Sequence, residues 1–151
     1  MSYEQVGTVL KEVCRFHQHE SELFDRLAKR VTQPRARMLL ESMSDHERQL
    51  AAALTEYLSG APQSVLNTWL GRRLDLPSAL AISDPQLDAD ASVDELLQVG
   101  LDLDERLLEV LQECAECCGP ESVQQLFRTF VDQQQQEERL LARQAMRSLD
   151  L

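Results

Sequence analysis

Residues that break helices and residues that favour strands are both scarce in this sequence. Glycine and proline occur five times each, and aromatic residues make up 5% of the 151 positions. The valines and aromatics show none of the period-2 alternation that is typical of strands, so we predict no strand. Alanine, leucine, glutamate, glutamine and arginine dominate instead, and these side chains favour helix. The composition therefore predicts an all-α fold, at a length suited to one domain.

Basic residues are outnumbered by acidic ones, and long apolar runs are absent from the sequence. Lysine and arginine total 15 against 26 aspartates and glutamates, which gives a net charge of −11. Nucleic acids and anionic lipids are bound through clustered basic residues, so we expect neither as a partner. The sequence has no run of about 18 apolar residues, so we predict no membrane span. The first residues lack the basic-then-apolar order of a secretion signal, and we therefore expect a cytoplasmic protein.

The motifs of several enzyme classes are missing as well. We find no nucleophile with a partnered base and no glycine-rich phosphate loop. Cys114-x-x-Cys117 has the spacing of half a zinc site, but no second pair of ligands accompanies it. Cys114 and Cys118 fall on the apolar stripe of their helix, so we predict that they pack in the core. Thiol chemistry and metal binding remain the alternatives for these cysteines.

Four long amphipathic segments predict four helices. Gln33-Pro34 and Gly119-Pro120 mark short turns, and Ser59-Gly60-Ala61-Pro62 marks a helix end. Ser92 and Glu95 have the spacing of a capping box at the start of the third helix. The predicted helices span residues of about 3–31, 35–58, 93–117 and 121–148.

A long connector, residues 60–92, joins the two predicted hairpins. We expect one short amphipathic helical piece in it, from Thr68 to Leu74, with Asn67 as its N-cap. A connector of this length permits a crossover along the whole bundle, whereas a short loop would force simple up-down order. The predicted fold is therefore a four-helix bundle of two antiparallel helical hairpins joined by a long crossover, as one domain over residues 1–151.

Polar residues interrupt the apolar stripes of the first hairpin. Folding about Gln33-Pro34 brings together positions whose numbers sum to 67, so Glu20 faces Glu47, and His17 lies one turn away opposite Leu50. Two carboxylates that face each other in a core are costly unless they share a proton, pair with a cation or bind metal. The first stripe is Val6, Leu10, Val13, His17, Glu20, Phe24, Leu27 and Val31. The second is Ala36, Leu40, Met43, Glu47, Leu50, Leu54 and Tyr57.

The second hairpin repeats this feature. Asp104 interrupts the stripe of the third helix, and folding about Gly119 places it opposite Gln134, with Glu137 one turn further on. Glu20 and Asp104 both lie near the middle of their helices, so the polar groups of the two hairpins would share one layer. If the register slips by one position, Glu105 and Glu138 take the places of Asp104 and Glu137.

The second helix carries the phrase Arg35-Ala36-Arg37-Met38-Leu39-Leu40-Glu41, followed by His46-Glu47. Together with the predicted architecture, this phrase resembles the second helix of ferritin-like and rubrerythrin-like proteins. Those proteins place one Glu on each of the first and third helices and Glu-x-x-His on the second and fourth. The resemblance implies a carboxylate-rich metal site inside the bundle. The matching positions in this chain are Glu20, Glu47, Asp104 or Glu105, and Glu137 or Glu138.

The chain departs from that pattern because both motif histidines are absent. The positions that should hold them are Leu50 on the second helix and Leu140 or Leu141 on the fourth. His17 lies opposite Leu50, so it would supply one nitrogen ligand from across the hairpin. We expect His19 and His46 at the surface, unless His46, on the flank of its stripe, turns inward.

Two functional hypotheses remain open from the sequence, which does not decide whether the protein is an enzyme. In the first, a carboxylate-rich site holds one or two ions of iron or manganese, with zinc as an alternative, and the protein is a weak oxidase or a metal sensor. Its ligands are His17, Glu20, Glu47, Asp104 and Glu137. In the second, a histidinium between Glu20 and Glu47 forms a structural cluster. The bundle would then act without catalysis, through homodimerisation or a protein partner.

Self-association is a separate expectation. Apolar residues flank the stripes of the first and third helices and widen them, which is most simply explained by a two-fold dimer. These residues are Val9, Leu23, Leu96, Leu103 and Leu108.

Overall fold

The computed structural model describes residues 1–117 and 119–149, and most of them are helical. Helix α1 packs along α2 and helix α5 packs along α6, so the predicted pair of helical hairpins is confirmed. In chain order the elements are β1 (Ser2–Gln5), α1 (Val6–Arg30), α2 (Pro34–Gly60), α3 (Gln63–Leu66), β2 (Trp69–Leu74), α4 (Leu76–Ala79), α5 (Val93–Glu116) and α6 (Glu121–Leu149).

The helix ends follow the sequence signals. Pro34 occupies the first turn of α2, where its missing N–H would have had no intrahelical partner. At the start of α5 the Ser92 hydroxyl accepts a hydrogen bond from the Glu95 N–H at 3.1 Å, and the Glu95 carboxylate accepts one from the Ser92 N–H. The predicted capping box is therefore present. Helix α1 begins at Val6 rather than near Tyr3, because the residues before it form a strand.

The expectation of no strand was wrong for two short segments. β1 and β2 pair antiparallel, with Ser2 opposite Leu74 and Tyr3 opposite Arg73. The helical piece predicted from Thr68 to Leu74 is therefore a strand, and Asn67 follows the short helix α3 instead of capping a new one. Leu70 and Leu74, both buried, are four residues apart, and that spacing places two side chains on one face of either a helix or a strand.

The connector between α2 and α5 runs along the length of α1. Its strand β2 pairs with β1, which lies at the N-terminal end of α1. Further along, Arg30 at the C-terminal end of α1 donates a hydrogen bond to Asp84 at 2.9 Å, and the Thr32 N–H donates one to the Ala89 carbonyl at 2.9 Å. The chain has thus passed from one end of a 25-residue helix to the other, about 37 Å, before α5 begins. This path is the predicted crossover.

The core lies between the four long helices, and the predicted stripes face it. Every residue of the predicted α1 stripe is buried, while on the α2 stripe Tyr57 is 36% exposed. The flanking residues Val9, Leu23 and Leu96 are also buried within the chain, each at 0% exposure. In the described part of the chain no helix has an apolar stretch long enough to span a bilayer.

Candidate metal centre

The α1 and α2 stripes bring three polar side chains together in the core. His17 and Glu20 are one turn apart on α1, and Glu47 comes from α2. Their exposed fractions are 6%, 0% and 7%. Each offers one ligand atom such that all three atoms lie within 4.8 Å of one another. The predicted meeting of Glu20 with Glu47, with His17 beside them, is therefore found in the structure.

His17 is bonded to one of its two acidic neighbours. Its Nδ1 lies 2.6 Å from Oε2 of Glu47 and 3.6 Å from Oε1 of Glu20. The first distance is a short hydrogen bond, and the second is beyond hydrogen-bond reach. His17 therefore forms a hydrogen bond with the carboxylate of Glu47, whereas the carboxylate of Glu20 has no comparable bond to His17.

Glu20 is the least compensated polar group of this cluster. Both of its carboxylate oxygens are buried, and neither has a hydrogen-bond partner among the described residues. Burial raises the pKa of Glu20 well above the ordinary value, and the nearby carboxylates of Glu47 and Asp104 raise it further. A buried carboxylate in this position gains from any cation that enters.

Asp104 of α5 adds a third carboxylate to the same layer. It is 6% exposed, and the side chain of Gln134, from α6, donates a hydrogen bond to its backbone carbonyl at 3.3 Å. Burial, followed by the charges of Glu47 and Glu138, raises the pKa of Asp104 to about 8. The predicted contact between Asp104 and Gln134 is present. Asp104 is nevertheless outside the triad of His17, Glu20 and Glu47 whose ligand atoms converge.

Glu137 of α6 is half-buried and pairs with His46 of α2. The Nε2 atom of His46 contacts Oε2 of Glu137 directly, joining the two hairpins. This contact raises the pKa of His46, and burial opposes the rise. His46 follows the alternative given for it in part: the residue is half-buried, and its ring contacts Glu137. His19 is exposed as predicted.

The one-residue register slip considered for the second hairpin does not occur. Glu105 is exposed, whereas Asp104 is buried. Glu138 is half-buried, and burial and its neighbour Glu105 both raise its pKa. Glu138 thus lies between Glu105, which raises its pKa, and Asp104, whose pKa the charge of Glu138 raises.

The carboxylates open onto one cavity of about 170 Å³. We call it the acid cavity. Its wall combines both hairpins, so a ligand inside it would touch helices α1, α2, α5 and α6. Its polar lining includes Glu20, Glu47, Asp104, Glu137 and His46.

Sequence reasoning missed a buried serine pair next to the triad. The hydroxyls of Ser21 and Ser44 lie 2.9 Å apart, and the Ser44 hydroxyl also donates to the Ser21 carbonyl at 2.9 Å. Each serine follows a stripe position of its helix, where a small side chain lets α1 and α2 approach closely. The sequence feature that could have indicated this pair is a serine directly after a stripe position on each of the two helices.

The cysteines are packed as predicted where the structure describes them. Cys114 is fully buried and Cys117 is 3% exposed. Burial raises the pKa of the Cys114 thiol to about 12, which suppresses the reactive thiolate. Neither belongs to a group of converging metal ligands in the described part of the chain. Cys118 lies outside the described residues.

Comparison with known proteins bears on the fold. No protein-family model matches the chain, and no curated protein matches its sequence. A crystal structure from Thermotoga maritima, named as a candidate ferritin-like diiron-carboxylate protein, matches with a TM-score of 0.64 at 13% sequence identity. The match covers 95% of each chain. With its two helical hairpins, long crossover and this likeness, the chain has the ferritin-like fold.

Proposed function

We propose that this protein binds one or two iron or manganese ions in the acid cavity. The observation that carries the proposal is Glu20, a fully buried side chain whose two oxygens have no hydrogen-bond partner among the described residues. Carboxylate oxygens with a few imidazole nitrogens suit iron(II), manganese(II) and zinc. The donor set therefore fits a metal ion of the kind that the Thermotoga neighbour's name implies.

The charge balance also favours a metal over a purely structural cluster. If all four carboxyls were ionised, at most two positive charges on the imidazoles would face four negative ones, so the raised pKa values of Glu20 and Asp104 keep part of the cluster protonated when no metal is bound. Isolated buried charges cost several kcal/mol each. A divalent ion between Glu20 and Glu47 would remove most of that imbalance. The groups in question are Glu20, Glu47, Asp104 and Glu137 on one side and His17 and His46 on the other.

The residues divide naturally into two positions. His17, Glu20 and Glu47 would hold the first ion, since their ligand atoms already converge. Asp104 and Glu137 would hold a second ion, and His46 would supply the nitrogen that the fourth helix lacks. When bound, iron or manganese supplies Lewis-acid and redox chemistry. In the metal-free protein, His17 and His46 contact the carboxylates of Glu47 and Glu137 and so hold these prospective ligands in place.

Metal content tests the proposal. Untagged protein is purified without chelator, offered iron(II) or manganese(II) without oxygen, desalted and measured by plasma mass spectrometry. We expect one or two ions per chain, lost in Glu20→Ala and Glu47→Ala. The matched control is Glu22→Ala, an exposed glutamate two positions from Glu20 on α1.

A wild-type protein without bound metal would contradict the proposal. The acids would then form a structural cluster, and the non-enzymatic interaction protein would become the better hypothesis. Equal loss of metal in Glu22→Ala would also contradict it, because it would place the ions on the acidic surface.

A further inference from the structure

A second, larger recess lies next to the acid cavity along the bundle. Its volume is about 460 Å³, within the range of small-molecule sites. On α1 the recess is lined by Leu10, Val13 and His17, whereas the acid cavity is lined by Glu20 and Phe24. On α5 it is lined by Leu107 and Leu111, whereas the acid cavity is lined by Gly100 and Asp104. The polar layer therefore separates the two.

The recess has buried residues at its floor and exposed residues at its rim. Its floor residues Leu10 and Leu107 are 0% exposed, and Leu111 is 3% exposed. Its rim, by contrast, includes exposed Ala53 of α2 and Gln133 of α6. The volume and the mixed apolar and polar lining are those of a small-molecule site between the helices of a bundle.

The polar groups of the recess are concentrated toward the metal layer. His17, a member of the converging triad, lines it together with Gln134 and Glu137. Glu137 lines the acid cavity too, so the two spaces share a wall. Among the residues that the structure describes, no lysine or arginine lines the recess, whereas the carboxylate of Glu137 does. An anionic head group would therefore be repelled.

We propose that this recess binds a small, uncharged, apolar molecule with its polar end against His17 and Glu137. The binding itself stands on the shape and lining of the recess. The further step, that the molecule is the substrate of the metal centre, rests on the proposed function.

Binding is tested with N-phenyl-1-naphthylamine, an uncharged apolar fluorophore that brightens in apolar surroundings. The protein is stripped of metal with chelator, so that the result does not depend on the metal centre. We expect saturable binding of one probe per chain, with displacement by 1-octanol and at least tenfold weaker displacement by octanoate.

Two neighbouring alanines of α2 provide a matched pair of variants. Ala53 lies on the rim and Ala52 does not line the recess, and both are exposed. Ala53→Trp should raise the dissociation constant of the probe at least tenfold, and Ala52→Trp should leave it unchanged. Gln133→Trp blocks the mouth from the opposite rim if Ala53→Trp fails to fold.

Equal probe binding in the wild type and in the folded blocking variant would overturn the inference, as would no binding at all. If metal binds but the probe does not, only this inference fails. If the probe binds but metal does not, the proposed function fails and the binding site stands.

The orientation is tested with manganese(II) bound, because its unpaired electrons speed the relaxation of nearby protons. The methylene protons beside the hydroxyl of bound 1-octanol should relax faster than its methyl protons. The reverse order would contradict the proposed orientation.

Discussion

At the scale of a single residue, the buried side chain of Glu20 lowers the stability of the metal-free protein. Its side chain is fully buried, its two oxygens have no hydrogen-bond partner in the described part of the chain, and Glu47 and Asp104 lie close enough to raise its pKa. A buried polar group without a hydrogen-bond partner costs about 1–3 kcal/mol of stability. The residue that makes the site able to bind metal is therefore expected to weaken the empty fold.

Glu20→Met should accordingly raise the free energy of unfolding of the metal-free protein, by about 1–3 kcal/mol. Urea unfolding at pH 7.5 with chelator present measures this. Glu22→Met, at an exposed position of the same helix, should change stability by no more than about 0.5 kcal/mol. A large loss of stability in Glu20→Met would instead show that Glu20 makes a structural interaction.

Asp104 makes the stability of the metal-free protein depend on pH. Burial raises its pKa to about 8 in the folded chain, against 3.8 ordinarily, so the folded state binds more protons between these values. Stability from this group is therefore full below about pH 4 and decreases as the pH rises toward 8. Thermal melting of metal-free protein from pH 5 to pH 8 should show the decrease.

Asp104→Asn isolates this contribution from the general effect of the net charge. Its melting temperature should fall less steeply over the same pH range, because the amide does not titrate. Asp102→Asn, exposed on the same helix, should behave like the wild type. Identical slopes in wild type and Asp104→Asn would contradict the expected role of burial.

The sequence predicted the site residues unevenly, for physical reasons. Glu20, Glu47 and Asp104 interrupt regular apolar stripes, and helical periodicity alone places such positions in the core. His46 lies off the stripe, and its inward turn depends on Glu137, which is 91 residues away in sequence. A contact of that range depends on how the two hairpins pack, which periodicity within one helix does not describe.

At the scale of elements, α5 approaches the first hairpin closely at Gly100. A Cβ at this position would lie 2.7 Å from Met43 Cε and 2.9 Å from Leu141 Cδ2, closer than van der Waals contact allows. Both atoms are the tips of flexible side chains, and both side chains line the acid cavity with Gly100. The glycine therefore preserves space for the site rather than a special backbone conformation.

Gly100→Ala should change stability little, because the displaced tips move and alanine gains up to about 1 kcal/mol of helix propensity. The affinity of the acid cavity for manganese(II) should nevertheless fall, since the displaced side chains narrow the cavity. Titration followed by electron paramagnetic resonance measures the affinity. The control is Gly60→Ala at the end of α2, where an added Cβ meets nothing within 4 Å. Unchanged affinity in Gly100→Ala would contradict the spacing argument.

In the connector, the local spacing of apolar residues does not decide between a helix and a strand. Leu70 and Leu74 fit a helix face as well as a strand face, so spacing alone does not distinguish them. The strand is decided by β1, 60 or more residues earlier, which supplies the backbone partners. The long helices needed no such distant partner for their assignment, because about seven turns of regular periodicity specify each one.

At the scale of the whole molecule, the homodimer predicted from the sequence remains a prediction. The five flanking residues on which it rested are buried within the chain, so a dimer would use another surface. Met38 on α2 and Met146 on α6 are exposed apolar side chains that such a surface would include. Light scattering at micromolar concentration should give twice the chain mass of 17.2 kDa. A mass of one chain would remove the dimer.

Metal binding should also stabilise the molecule as a whole, because the ligands of the acid cavity come from all four long helices. Unfolding separates these ligands, so an ion bound only by the folded state adds RT ln(1 + [L]/Kd) to the free energy of unfolding. At a free metal concentration of 100 Kd this is about 2.7 kcal/mol. For a chain of this length, that corresponds to a rise in melting temperature of about 5–10 °C.

Differential scanning calorimetry with chelator or with manganese(II) measures the shift. Glu20→Gln keeps the size of the side chain and removes its charge, so the shift should shrink to a small fraction of the wild-type value. Glu22→Gln should keep the full shift. If Glu20→Gln kept it as well, the ions would be stabilising the acidic surface, since a chain with a net charge of −11 attracts divalent cations without any built site. If Glu20→Gln lost the shift and Glu22→Gln kept it, the stabilisation of the four-helix bundle by metal would depend on the buried carboxylate of Glu20.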